Sequence, residues 1–126
     1  MRKNISSGAE WEDKVAYSRA VRVENIVEVS GTVSSQHGQV VGKGDAYQQT
    51  KCILSIISQA LEDAGANIKD VVRTRIYVTQ ISDWEEVGRA HEEVFKNIRP
   101  ATSMVEVKAL ISEDYLVEIE ATAIIN

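Results

Sequence analysis

Two glutamates two positions apart, Glu118 and Glu120, have the spacing in this sequence that best suits acid–base chemistry. In a β-strand, residues i and i+2 project from the same face about 7 Å apart. At that separation one carboxylate can raise the pKa of the other, which suits general acid–base catalysis. The alternative is structural, because either carboxylate can pair with Arg73, Arg75 or Lys108 on a neighbouring strand.

The other candidates for chemistry carry weaker signals. Gly42-Lys43-Gly44 resembles a fragment of a phosphate-binding loop, but it has neither the Walker pattern nor a complete G-x-G-x-x-G, so an ordinary loop is expected. His37 and His91 lie far apart and Cys52 is the single cysteine, which predicts neither a zinc site nor an intrachain disulfide. We expect no metal and no cofactor, a half-buried His91 and an inert Cys52 thiol.

The composition is that of one ordinary globular domain spanning residues 1–126, with 44% hydrophobic and 26% charged residues. A chain of this length buries about two-thirds of its surface, enough for one core. Its net charge of −5 disfavours general binding to nucleic acid or to anionic lipid. The N-terminal residues lack the apolar segment of a signal peptide, and no apolar run approaches a membrane span, so we expect a cytoplasmic protein.

The periodicity of apolar residues predicts the elements that must position these groups. The predicted order is strands 15–24, 25–33 and 39–41, a helix over 45–64, a strand over 71–79, a helix from Ser82 to Ile98, and strands 101–110 and 115–125. Two helices on one face of a sheet make a two-layer α/β sandwich.

Capping residues mark the ends of both predicted helices. Asp45 is the expected N-cap of the first helix, and Gly65 is placed to end it in a left-handed conformation. Ser82 is the expected N-cap of the second helix, whose predicted buried stripe begins at Trp84. Pro100 ends that helix and is expected to hold the preceding Arg99 in an extended conformation.

Each long strand divides into two alternating sets of side chains. We assign the more apolar set to the face that the helices cover: Val72, Thr74, Ile76, Val78, Ser103, Val105, Val107, Ala109, Val117, Ile119, Ala121 and Ala123. The opposite face then carries Arg73, Arg75, Tyr77, Thr102, Met104, Glu106, Lys108, Leu116, Glu118, Glu120 and Thr122. This charged face meets either water or other subunits.

The segment RPATSMVEVKAL from Arg99, followed by LVEIEATA from Leu116, resembles the signature of the Rid family, the reactive-intermediate deaminases also called YjgF or endoribonuclease L-PSP proteins. Further matches in family order cover nearly the whole chain: Tyr17 to Val21, Val29 to Gly31, Ala64 to Ala66, Asp70 to Val72, Ile76 to Val78 and Ser82 to Trp84. The resemblance implies an α+β, chorismate-mutase-like fold with a mixed sheet, assembled as a homotrimer with ligand clefts between subunits.

The resemblance also implies a site for a small imine or enamine, from which water releases ammonia and a keto compound. Glu118 matches the glutamate that positions the attacking water, and Tyr17 matches a tyrosine that lines the cleft. Ser30 and Gly31 match a turn whose backbone touches the ligand.

One family position differs in this chain. In deaminating members an arginine directly after Pro-Ala binds the substrate carboxylate, and here that position is Thr102, with Met104 two residues later. A hydroxyl supplies no positive charge, and Arg75 is the candidate to supply it from a neighbouring strand. Three functions therefore stay open: a divergent deaminase, a trimer that binds a small ligand or stabilises other proteins without catalysis, and an endoribonuclease, which the acidic charge disfavours.

Overall fold

A computed structural model describes all 126 residues. Its strands are β1 (Arg2–Ile5), β2 (Ala20–Val23), β3 (Ile26–Thr32), β4 (Ser35–Gln36), β5 (Gln39–Val40), β6 (Val71–Val78), β7 (Ala101–Glu106) and β8 (Val117–Ile124). Its α-helices are α1 (Glu10–Val15), α2 (Ala46–Asp63) and α3 (Trp84–Phe95), with short 3₁₀ helices at Ile68–Asp70 and Ile81–Asp83. No helix is long and apolar enough to cross a membrane.

Six strands form one mixed sheet in the order β1-β2-β3-β8-β6-β7. Only β6 and β7 run parallel to one another, and α3 makes the crossover between them. The strands β4 and β5 form a separate hairpin. Helix α2 packs across β3 and β8, and α3 packs beside α2. A mixed sheet with its long helices on one face was expected, whereas the short helix α1 and the edge strand β1 were not.

Strand β8 lies at the centre of the sheet, paired with β3 on one side and β6 on the other. Its alternate residues Val117, Ile119, Ala121 and Ala123 are at most 1% exposed and face the helices, as predicted. The intervening residues, including Glu118 and Glu120, therefore point to the open face of the sheet.

The caps of α2 confirm the sequence prediction. The side chain of Asp45 accepts a hydrogen bond from the backbone N–H of Gln48 at 3.0 Å. Gly65 follows the helix with a φ of +86°, and a Cβ at that position would crowd the guanidinium of Arg22. That guanidinium donates to the carbonyl of Ala64, so the glycine gives the arginine access to the end of the helix.

The predicted faces of β7 were wrong. Parallel pairing places Thr102 beside Thr74 and Met104 beside Ile76, so Thr102, Met104 and Glu106 lie on the helix side of the sheet. Met104 packs against the core there, while the Oγ1 atom of Thr102 lies 2.6 Å from that of Thr74. Strand β7 is an edge strand whose residues are mostly exposed on both faces, so hydrophobic alternation could not indicate its orientation.

A bulge explains why Val72 is not part of the helix-covered face. The register of β6 against β8 shifts between Val71 and Arg73, which makes Val71 the buried residue and leaves Val72 43% exposed. Extra residues of this kind interrupt the two-residue period of a strand.

Both ends of the second predicted helix were also misplaced. A 3₁₀ helix includes Ser82, and α3 begins at Trp84 after Asp83 without a side-chain cap. Trp84 is 56% exposed and not part of the buried stripe. Arg99 adopts a left-handed conformation with φ of +56°, which also avoids the right-handed helical region that Pro100 disfavours.

Candidate functional site

A cavity of about 1180 Å³ opens beside the start of β8 and the end of β3. Segments distant in sequence form its walls: the loop before α1 with α1 itself, the β4–β5 hairpin and the loop before β8. The residues that matter for its chemistry are Tyr17, Arg19, Ser30, Gly31, His37 and Glu118. Tyr17, Ser30, Gly31 and Glu118 were all predicted site residues, and the fold brings these four together.

A β-bulge creates room for the Glu118 side chain. Val29 pairs with Ala121 and Thr32 with Ile119, so Ser30 and Gly31 together oppose the single residue Glu120. A Cβ atom on Gly31 would overlap the Oε2 atom of Glu118. A side chain at position 31 would therefore displace the end of the Glu118 side chain from its place at the cavity wall.

Glu118 and Glu120 occupy different environments although they share one strand face. Glu120 accepts a hydrogen bond from the Tyr77 hydroxyl at 2.9 Å and lies 3.7 Å from the Nε atom of Arg75. That hydrogen bond raises the pKa of Tyr77. Glu118 has no such partner, and its half-burial raises the pKa of its carboxyl, while Arg19 acts to lower it and Glu120 to raise it. Glu120 is thus a paired structural carboxylate, whereas the Glu118 carboxylate has no hydrogen bond within the chain and faces the cavity.

Arg19, which sequence reasoning did not single out, lies buried beneath the site. Its Nη1 atom donates to the carbonyl of Gly31 and to the Thr32 hydroxyl, both at 3.0 Å. Its Nη2 atom donates to the Tyr17 hydroxyl at 3.2 Å. One guanidinium therefore fixes the bulge and the tyrosine that line the cavity.

Glu12 on α1 compensates the buried charge of Arg19. Its Oε2 atom lies 3.6 Å from the Arg19 Nε atom, and the two side chains are 4% and 8% exposed. The Glu12 carboxylate also accepts hydrogen bonds from the Ser6 hydroxyl at 2.9 Å and from the backbone N–H and hydroxyl of Ser7. These contacts hold α1 and the loop before it as a wall of the cavity.

The other predicted site residues lie away from this cavity. Arg75 is on the open sheet face beside Glu120, and it does not line the cavity. Thr102 and Met104 are on the helix side, where Thr74 bridges Thr102 to His91 through a 2.9 Å contact. Burial lowers the pKa of His91, as its expected half-buried position requires. No three His, Cys, Asp or Glu side chains are arranged to hold a metal ion.

A family model described as endoribonuclease L-PSP matches residues 9–125. This chain belongs to the endoribonuclease L-PSP family. The resemblance to Rid and YjgF proteins is therefore confirmed, together with the mixed α+β fold that it implied.

Individual members of the L-PSP family show how closely the chain follows the family fold. The crystal structure of a YjgF/YER057c/UK114 family member from Mycobacterium tuberculosis is 52% identical, with a TM-score of 0.91, over 99% of this chain and 100% of that one. The YjgF gene product of E. coli is 27% identical, with a TM-score of 0.83, over 98% and 94%. A curated relative, the 3-aminoacrylate deaminase RutC of Acinetobacter baylyi, is 35% identical over 108 residues, which is 85% of each chain.

Removing the buried cation should destabilise the fold strongly. Arg19→Gln leaves Glu12 buried without its counter-charge, and we expect a loss of about 3–5 kcal/mol in the free energy of unfolding. Lys14→Gln is the control, because the Lys14–Glu10 pair is 60% and 68% exposed and contributes about 0.5 kcal/mol. Urea unfolding at one protein concentration measures both losses, and equal values for the two variants would contradict the account.

Glu118→Gln should stabilise the fold at about pH 7 and change it little at about pH 4. Because burial raises the pKa of Glu118, the stability that its protonated carboxyl contributes is present at low pH and is lost as pH rises through that raised pKa. The uncharged amide avoids this loss. Melting temperatures measure the effect, with Glu120→Gln as control. Since that variant loses charge from the contacts with Tyr77 and Arg75, an equal gain at neutral pH in both variants would refute the assignment.

Proposed function

We propose that the chain is a deaminase that hydrolyses a small imine or enamine, with Glu118 as its catalytic residue. The observation that carries the proposal is the position of the Glu118 carboxylate. It faces the cavity over Gly31, and no group of the chain donates a hydrogen bond to it. The RutC relative supports the substrate class, because 3-aminoacrylate is an enamine that bears a carboxylate.

The proposed reaction is hydrolysis of a C=N bond, with water as the only co-reactant. The Glu118 carboxylate accepts a proton from a water molecule while the oxygen of that water bonds to the imine carbon. The π electrons of the C=N bond move to nitrogen. Protonated Glu118 returns that proton to the nitrogen, which gives a carbinolamine. Glu118 then takes the proton of the carbinolamine hydroxyl and passes it to the nitrogen as the C–N bond breaks, so that ammonia and a carbonyl compound leave. An enamine first becomes the imine by gaining a proton on carbon and losing one from nitrogen.

The raised pKa of Glu118 suits both roles in this cycle. A carboxyl with a pKa closer to the working pH transfers protons in both directions more readily than an ordinary surface glutamate. The Tyr17 hydroxyl and the bulge at Ser30 and Gly31 then form the polar wall against which the substrate is oriented. Arg19 holds both parts of this wall and is a positioning residue.

The proposal includes assembly as a homotrimer, as the resemblance implies, and a cytoplasmic location. The open sheet face supports self-association, because it exposes apolar side chains where a solvated sheet surface is usually polar. Val23 is 46% exposed, Ile26 44% and Ile124 38%. Their pairing in the sheet makes them one continuous patch.

Glu118→Gln should lower kcat for 2-iminopropanoate, generated in situ and followed by ammonia release, by about 10²- to 10⁴-fold. Glu120→Gln is the matched control, because it makes the same change on the same strand face at a carboxylate that is already paired. We expect it to retain activity within a few-fold of the wild type.

Light scattering checks that both variants assemble like the wild type, with an expected mass three times that of the 14.0 kDa chain. Ammonia release that Glu118→Gln leaves unchanged would refute the assignment of Glu118. A wild-type protein that binds 2-ketobutyrate but releases no ammonia from any imine would instead support the non-catalytic alternative.

A further inference from the structure

His37 lies at the tip of the β4–β5 hairpin, in a two-residue turn. His37 and Gly38 have φ values of +53° and +76°, between the paired residues Gln36 and Gln39. A hairpin turn with two positive φ values is a type I′ turn, for which Asn-Gly is preferred. Histidine is, with asparagine and aspartate, one of the non-glycine residues that adopt the left-handed conformation most often, so the turn accommodates His37 and places its side chain at the hairpin tip.

The His37 side chain lines the same cavity as Glu118. The side chain is exposed and makes no hydrogen bond, ion pair or ring contact within the chain. The other histidine, His91, is packed against Phe95 with ring centroids 4.5 Å apart and contacts Thr74. His37 therefore offers a free imidazole N–H at the cavity wall.

Arg19 and His37 are the two basic side chains that line the cavity. Glu12, Gly31, Thr32 and Tyr17 already surround the guanidinium of Arg19, which is only 6% exposed. Thr102 lies on the other side of the sheet, and Arg75 is beside Glu120. An acidic group that enters the cavity from solvent thus meets one unoccupied basic donor of this chain, the imidazole of His37.

We propose that His37 is a specificity-determining residue, which donates a hydrogen bond to an acidic group of the ligand while Glu118 faces the reacting carbon. The proposal rests on the proposed function for its ligand class, a 2-imino or 2-keto acid. A hydrogen bond to a carboxylate is stronger than one to a neutral acceptor, so His37 favours acids over their uncharged analogues.

NMR spectra of the imidazole groups test the contact directly, because the chain has two histidines and therefore two sets of ring signals. His37→Asn removes one set and so assigns both. On titration of the wild-type protein with 2-ketobutyrate, we expect the His37 signals to shift and those of His91 to stay in place. Unchanged His37 signals, including the case in which 2-ketobutyrate does not bind, would overturn the proposal.

Calorimetry with His37→Asn gives the second measurement. Asparagine fits the type I′ turn, so we expect an equal or higher melting temperature together with about tenfold weaker binding of 2-ketobutyrate. Binding of the uncharged amide, 2-oxobutanamide, should weaken less, because its oxygen accepts a weaker hydrogen bond than a carboxylate does, and Gln39→Ala in the same hairpin serves as the control outside the cavity. Wild-type affinity for 2-ketobutyrate in His37→Asn would refute the role of His37.

The two proposals can fail separately. If Glu118→Gln abolishes ammonia release while His37→Asn binds 2-ketobutyrate normally, the deaminase proposal stands and that for His37 falls. If the wild-type protein releases no ammonia although 2-ketobutyrate shifts the His37 signals, the His37 contact stands and the deaminase proposal falls.

Discussion

The buried charge of Arg19 is the constraint on which the site depends. A guanidinium taken out of water must be compensated, and this one gathers Glu12 from α1, the Gly31 carbonyl and Thr32 from β3, and the Tyr17 hydroxyl. Those partners come from three different segments of the chain. Their arrangement around one cation fixes the cavity wall and keeps the bulge in the conformation that admits the Glu118 side chain.

The two glutamates of β8 show how similar residues on one strand acquire different environments. Alternation places both on the open face, but the neighbouring strand supplies Tyr77 and Arg75 to Glu120 alone. Glu118 instead lies over Gly31, where half-burial raises its pKa. Structural pairing, one of the two sequence interpretations of this pair, therefore describes Glu120, whereas acid–base chemistry is the role that we propose for Glu118.

The sequence predicted elements whose signals are local and missed contacts that depend on packing. The caps of α2 and the alternation of β8 were correct, because both lie in short, strongly patterned segments. The orientation of β7 was wrong, since an exposed edge strand has no apolar pattern to reveal it. The family resemblance, and not the residue pattern, was what assigned four residues to one site: Tyr17, Ser30, Gly31 and Glu118. The contact of Arg19 with Glu12 and the position of His37 at the cavity were missed, because they depend on segments that only the fold brings together.

A crystal structure of the protein with 2-ketobutyrate bound tests the central claim most directly. We expect the keto carbon to lie over Gly31, within reach of a water molecule bound to Glu118, with Tyr17 beside the ligand. A ligand seated on the open face beside Arg75 and Glu120, with the cavity at Glu118 empty, would contradict it.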